Sequence, residues 1–140
     1  MITVNHLKKD EDINTIAEFY ADYYSNSVLQ EKWTKESAVK LFRYFYNQNK
    51  DLFFIAYDGD KPVGIITSVL KPWWDGNHLE DGEVFVIGEY RKKGIAKLLF
   101  KALFECAVRN IMRQHSKHTH TKMRMVFHIF CIKNWVLKKI

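Results

Sequence analysis

The sequence has 140 residues, 47% of them hydrophobic and 15% aromatic, which suits one domain with a packed core and excludes a disordered chain. Its formal net charge of +6 is unevenly placed: residues 1–105 hold 14 Lys and Arg against 16 Asp and Glu, whereas residues 106–140 hold 8 and no acid. No apolar run reaches the roughly 18–20 residues that span a bilayer, so no membrane segment is expected.

In chain order, Met1-Ile2-Thr3-Val4-Asn5-His6 lacks the basic start and apolar block of a secretory leader. Ile2–Leu7 alternates apolar and polar residues and predicts a first strand. Asp10 or Asp12 can cap the helix that follows, where Ile13, Ile16, Ala17, Tyr20, Tyr24 and Val28 keep a helical period. Thr34 opens a second helix, with Lys35, Glu36 and Ser37 in its first turn. Ala38, Leu41, Phe42, Phe45 and Tyr46 form its apolar face. Leu52–Tyr57 reads as a strand, Asp58-Gly59-Asp60-Lys61-Pro62 as a turn, and Val63–Leu70 as the returning strand of a hairpin. Lys71–His78 reads as a loop in which Pro72 ends the pairing. Trp73 and Trp74 at its mouth either wall a pocket or send one ring inward.

The next stretch organises the chain. Val84, Phe85, Val86 and Ile87 form a short β-branched and aromatic run between Gly82 and Gly88, as a buried strand does. Ile95, Leu98, Leu99, Ala102, Leu103, Cys106 and Ala107 then recur at three- and four-residue steps, drawing one helix face that fades near Met112. Gln114–Thr121 reads as a polar loop, Met125–Ile132 as a further strand, and Asn134–Ile140 closes the sequence. Cys106 is most simply a small core residue. With Cys131 it makes no disulfide framework, and a reducing cytoplasm is the expected compartment. The basic tail reads as a solvated end rather than a nucleic-acid surface, because no nucleic-acid motif stands beside it.

Between strand and helix lies Arg91-Lys92-Lys93-Gly94-Ile95-Ala96. The first amides of a helix have no intrahelical partner, and the macrodipole places partial positive charge there, so a phosphate is a natural ligand. Gly94 lets the backbone approach such a ligand, Ala96 keeps the helix start open, and Arg91, Lys92 and Lys93 add charge. Arg91-x-x-Gly94-x-Ala96 resembles the Arg/Gln-x-x-Gly-x-Gly/Ala signature of the GCN5-related N-acetyltransferases (the GNAT family). Val86-Ile87-Gly88-Glu89-Tyr90-Arg91 resembles that family's usual Val-x-Pro-x-x-Arg, with Gly88 where Pro is common. The apolar strand, the Asp-Gly-Asp turn and Pro62-Val63-Gly64-Ile65-Ile66 also resemble the family's second and third strands. The likeness covers about residues 1–134.

The resemblance implies one α/β domain over residues 1–140, with a mixed, mostly antiparallel sheet flanked by helices on both faces. That domain would be C-terminally incomplete: Asn134 would open a helix, and the family's last two strands and its usual acid Tyr have no matching residues. A truncated or frameshifted product, or a second copy completing the sheet as a homodimer, would account for this. The resemblance further implies acetyl-CoA, with the Val86 amide on the acetyl carbonyl, the amides around Arg91, Lys92, Lys93, Gly94, Ile95 and Ala96 on the diphosphate, and the pantetheine arm along the strand. In that family two helices stand in the position of the first two here, and their loop shapes the acceptor pocket. Tyr20, Tyr23, Tyr24, Tyr44 and Tyr46 are therefore candidate lining residues, although an aromatic stripe at helical spacing more often belongs to the core.

Acetyl transfer to an amine needs a donor near the developing oxyanion and a base for the ammonium proton. Glu83 is the best candidate base. It stands three residues before Val86 and so projects to the opposite face of a regular strand. Glu80 and Asp81 are rivals on the adjoining segment. His115-x-x-His118-x-His120 lacks a strong metal spacing and reads as a polar loop, so no metal is expected. The expected function is N-acetyl transfer by direct attack of a primary amine, on a small-molecule or peptide acceptor. A non-catalytic acyl-CoA-binding remnant and a basic nucleic-acid-associating module are the alternatives.

Overall fold

The near-continuous apolar runs of the central hairpin, Phe53–Tyr57 and Val63–Ile66, suit a sheet buried on both faces. In the computed structural model, which describes residues 1–74, 76–80 and 82–115, strands β1 (Ile2–Asn5), β2 (Phe53–Asp58), β3 (Lys61–Thr67) and β6 (Val84–Val86) form a sheet in the order β1-β2-β3-β6. Every pairing in it is antiparallel. Phe53, Ile55, Tyr57, Ile65 and Phe85 point to one face, where helices α1 (Glu11–Ser25) and α2 (Lys35–Gln48) cover them with Ile13, Ile16, Tyr20 and Phe42. Phe54, Ala56, Val63, Ile66 and Val86 point to the other, under Ile95, Leu99, Leu103 and Cys106 of helix α3 (Ile95–His115). The expected helix-sheet-helix layering is therefore present.

Local chemistry explains most element ends. Thr34 caps α2 reciprocally with Ser37: the Ser37 amide donates to Thr34 Oγ1 at 3.1 Å and the Thr34 amide to Ser37 Oγ at 2.9 Å. The start of α1 differs from the expected cap. Asp10 occupies the N-cap position in a helical conformation (φ −60°, ψ −34°), from which its side chain makes no cap bond; it accepts from Arg43 Nη1 at 3.0 Å. Asp12 is not a cap either. It is 1% exposed, and its Oδ2 accepts from the Tyr57 hydroxyl at 2.8 Å. Burial and that bond push the Tyr57 phenol well above its ordinary range. Asp12→Ala would leave the Tyr57 hydroxyl, which also accepts from the Lys8 amide at 3.1 Å, without an acceptor for its proton, and is expected to cost about 1–3 kcal/mol in urea unfolding, while Asp10→Ala costs less than about 1 kcal/mol.

Four further expectations need correction. Helix α1 stops at Ser25, and Val28 is 96% exposed beyond it: after Asn26 the Ser27 amide bonds Tyr24 O and the Gln30 amide bonds Ser27 O, three residues back instead of four, so the chain leaves the helical path. The strand expected over Val63–Leu70 breaks at Ser68, whose amide donates to Leu52 O while Thr67 still donates to Glu83 O. Lys71–His78 is not a loop: β4 (Val69–Trp73) and β5 (Gly76–Glu80) pair from Val69↔Glu80 to Trp73↔Gly76, with Pro72 opposite Asn77. A two-stranded ribbon tolerates Pro because alternate residues aim their amides away from the partner. Helix α3 continues past Met112 to His115, so Gln114 is helical rather than loop. The strand expected at Met125–Ile132, the Asn134 opening, Asp81, Cys131 and the side chains of His115, His118 and His120 lie outside the described residues.

Candidate active site

Strand β6 is short, but its pairing fixes which of its groups face outward. The Thr67 amide donates to Glu83 O and the Ile87 amide to Val63 O, both at 2.9 Å, and Gly64↔Val86, Ile65↔Phe85 and Ile66↔Val84 stand opposite one another between them. Antiparallel pairing alternates, so positions 83, 85 and 87 bond to β3, and the backbone groups of Val84 and Val86 point away from it. Among the described residues β6 is the sheet edge on that side. The Val86 amide thus faces outward, the orientation a carbonyl-binding donor needs.

The chain then turns sharply. Gly88–Tyr90 forms a single 3₁₀ turn, tied by the Tyr90 amide on Ile87 O at 2.8 Å and by the Tyr90 hydroxyl on Asp58 Oδ2 at 2.9 Å. Lys92 (φ 60°) and Gly94 (φ 81°) reverse the path into α3. The Leu98 amide makes an intrahelical bond to Gly94 O, so those of Ile95, Ala96 and Lys97 precede it. A Cβ built on Gly94 would meet nothing within 4 Å, so open space borders the helix start. Lys92, Lys93 and Gly94 are exposed, while the Ile95 side chain is buried and can serve a ligand only through its backbone.

Arg91 is placed differently from its two neighbours. Its Nε donates to the outward carbonyl of Val86 at 2.8 Å, and its Cζ lies 4.0 Å from the centroid of the Tyr23 ring and 5.3 Å from that of Phe85. The guanidinium therefore folds back over the strand edge, and the outermost positive charge of the turn belongs to Lys92 and Lys93.

Glu83 and Val86 occupy opposite faces of the strand. The Glu83 amide donates to Thr67 Oγ1 at 2.9 Å, and its Oε2 accepts from the Tyr20 hydroxyl at 3.2 Å. Tyr20 sits among the rings of Tyr24, Trp33, Phe42 and Phe85, at centroid distances of 4.6, 5.3, 5.1 and 5.4 Å. Burial, then the Glu83 charge, drives its phenol far above the ordinary range; the same causes push Tyr24 up to about 12. Both tyrosines thus keep their protons at any working pH.

Of the five candidate tyrosines, Tyr20, Tyr23 and Tyr24 gather beside Phe85 and Arg91. Tyr44 is exposed against Phe45, and Tyr46 packs on Phe53. Trp33 joins the cluster without having been marked by the sequence reading. Its signal was available: an apolar residue directly before the Thr34 cap commonly staples a helix start. Glu80 lies on β5, 3.4 Å from Lys71 Nζ and 3.8 Å from His78 Nδ1. Neither tryptophan of the ribbon packs inward; Trp73 is 51% and Trp74 89% exposed. Among the described residues no cluster of three potential metal ligands occurs, and no helix is long and apolar enough to cross a membrane.

Comparison with known proteins bears on this arrangement. The family model described as the acetyltransferase (GNAT) family matches residues 13–123. A structure of an N-acetyltransferase from Staphylococcus aureus Mu50 superposes with a TM-score of 0.60 at 22% identity, over 79% of this chain and 69% of that one. The structure of PH1933 from Pyrococcus horikoshii OT3 superposes at 0.59, with 22% identity, over 89% and 94%. A ribosomal-protein-alanine N-acetyltransferase from Brucella melitensis superposes at 0.54, with 20% identity, over 78% and 69%. At these identities the structural likeness shows the fold. By sequence, no curated protein is a significant match.

Proposed function

Because the chain belongs to the acetyltransferase (GNAT) family, we propose that it transfers an acetyl group from acetyl-CoA to a primary amine by direct attack. The observation that carries this reading is the β6 edge: the Val86 amide points outward, and the amides opening α3 begin nine residues later beside open space. Acetyl-CoA fits these groups chemically. The amides of Gly94, Ile95 and Ala96, with the charges of Lys92 and Lys93, suit a diphosphate. The Val86 amide suits a carbonyl on which negative charge develops, and acetyl-CoA would supply the activated acyl group. Arg91 adds positive charge to the same end of the site, and its side chain must leave the Val86 carbonyl if that edge is to bond a ligand.

Glu83 takes the proton released when the ammonium of the acceptor becomes a nucleophile. Its place beside Tyr20 and Tyr24, whose cluster extends through Phe85 to Tyr23, gives the acceptor side an anionic centre with aromatic walls, which suits a cationic amine on a small molecule or a peptide. Cytoplasmic residence and assembly as a homodimer belong to the same reading.

Coenzyme A at a hundredfold excess over its dissociation constant is expected to stabilise the fold by about 2.7 kcal/mol, seen as a rise in melting temperature of several degrees. Acetyl-CoA with a panel of primary amines should then release free thiol. Protection without thiol release would leave a binding protein, and the absence of both effects would overturn the reading.

A further inference from the structure

Sixty-three residues of sequence separate Tyr20 from Glu83, yet the fold places the hydroxyl of one 3.2 Å from the carboxylate of the other. Nothing in the packing of α1 requires a hydroxyl there. The Tyr20 ring is 3% exposed and held on several sides by Tyr24, Trp33, Phe42 and Phe85, and a phenylalanine would keep those ring contacts. The hydroxyl is the one atom that distinguishes the two side chains, and it is aimed at the carboxylate of Glu83, the residue directly before β6.

We infer that Tyr20 is a positioning residue: its hydroxyl fixes the Glu83 carboxylate in the orientation from which Glu83 accepts the acceptor's proton. The inference rests on Glu83 being the base of the proposed reaction. An ionised carboxylate has about four lone-pair directions, and the bond from Tyr20 occupies one of them and constrains its plane. A donor to the charged form also favours ionisation, which keeps the carboxylate available as a base at lower pH. Tyr20 suits this duty because its own proton stays bound: burial and the adjacent charge oppose ionisation of the phenol. Among the described residues, the charged and titratable groups that bear on Tyr20 and its neighbour Tyr24 include Glu31 in the α1–α2 connection and Arg91 with its stacking partner Tyr23.

The test uses Tyr20→Phe in the full chain. The Glu83 carboxyl carbon is followed by ¹³C NMR against pH, and Glu83→Gln identifies its signal. The expected midpoint for Glu83 in Tyr20→Phe lies about half a unit to one unit higher than in the parent chain. The acidic limb of kcat/KM, read with the best amine of the panel, moves up by the same interval. The plateau of kcat falls roughly threefold to tenfold, the loss of one hydrogen bond, while protection by coenzyme A against heat is unchanged. A midpoint that does not move overturns the positioning role, whatever the activity. A midpoint that moves, with a pH profile indifferent to Glu83→Gln, overturns it too, by removing the base on which it rests; the bond would then be a structural tie between α1 and β6. Native-like melting of Tyr20→Phe in both experiments separates these outcomes from loss of fold.

Discussion

Glu83→Gln is expected to lower the turnover of a primary amine by about 10²–10⁴-fold while leaving the stabilisation by coenzyme A intact. The substitution is close to isosteric, and the Gln side-chain carbonyl can still accept from the Tyr20 hydroxyl, so the link between β6 and α1 survives. What disappears is proton acceptance. The loss corresponds to about 2.7–5.5 kcal/mol of transition-state stabilisation. Its pH dependence has a definite sign. A primary ammonium of the lysine type loses its proton near pH 10, so around neutrality nearly all acceptor needs a base, and close to pH 10 much of it does not. The ratio of parent to variant rates should therefore shrink as pH rises towards 10. A ratio that stays constant with pH would mean that Glu83 binds or orients the acceptor instead of deprotonating it. A variant as fast as the parent would exclude Glu83 altogether and direct attention to Glu80 on β5 and to Asp81.

The features legible in the sequence are the ones written in contiguous residues. Val84–Val86 reads as a buried strand because three β-formers in a row suit a strand covered on both faces, and α3 reads as a helix because its apolar residues return every three or four positions. The turn between them is legible because a glycine and a cluster of cations stand together in the sequence, and Gly94 takes a positive φ there. The rest was decided by partners far away in sequence. Asp12 looks like a helix cap, but Tyr57 draws it into the core from 45 residues away. Arg91 looks like a ligand for phosphate alone, and the fold folds it back onto Val86 and Tyr23. The ribbon β4–β5 was hidden because Pro, Gly and adjacent tryptophans are loop composition, and only the cross-strand register from Val69 to Glu80 makes them strands. Tyr20 reads as core, correctly, but no periodicity announces where its hydroxyl ends up.

Gly82→Ala is expected to be among the most destabilising single substitutions near the site, at about 3–5 kcal/mol. Gly82 has φ +130°, a region that residues with a side chain enter only at a cost of roughly 1–3 kcal/mol. Sterics add to this. A Cβ there would stand 1.9 Å from the Thr67 carbonyl oxygen and 2.7 Å from its carbon, both backbone atoms, so no side-chain rotation relieves the overlap. The strand entry must move, and it carries the two bonds that join Thr67 to Glu83: amide to carbonyl in one direction, and Glu83 amide to Thr67 Oγ1 in the other. Each contributes about 1 kcal/mol. For a chain of 140 residues the sum predicts a fall in melting temperature of roughly 10–20 °C. Gly88→Ala is the matched control: no atom lies within 4 Å of a Cβ at that position, and its φ is not in the positive range, so the melting temperature should hold within about 2 °C. If Gly82→Ala melts with the control, Thr67 and Glu83 are not bound as tightly as the geometry requires. If it melts early, and saturating coenzyme A raises its midpoint by less than it raises that of Gly88→Ala, the edge of β6 and the start of α3 respond as one unit; an equal rise would mean that they do not. That coupling would follow from the pairing: the segment that places Glu83 on the acceptor side is the same three-residue strand that turns the Val86 amide to the other.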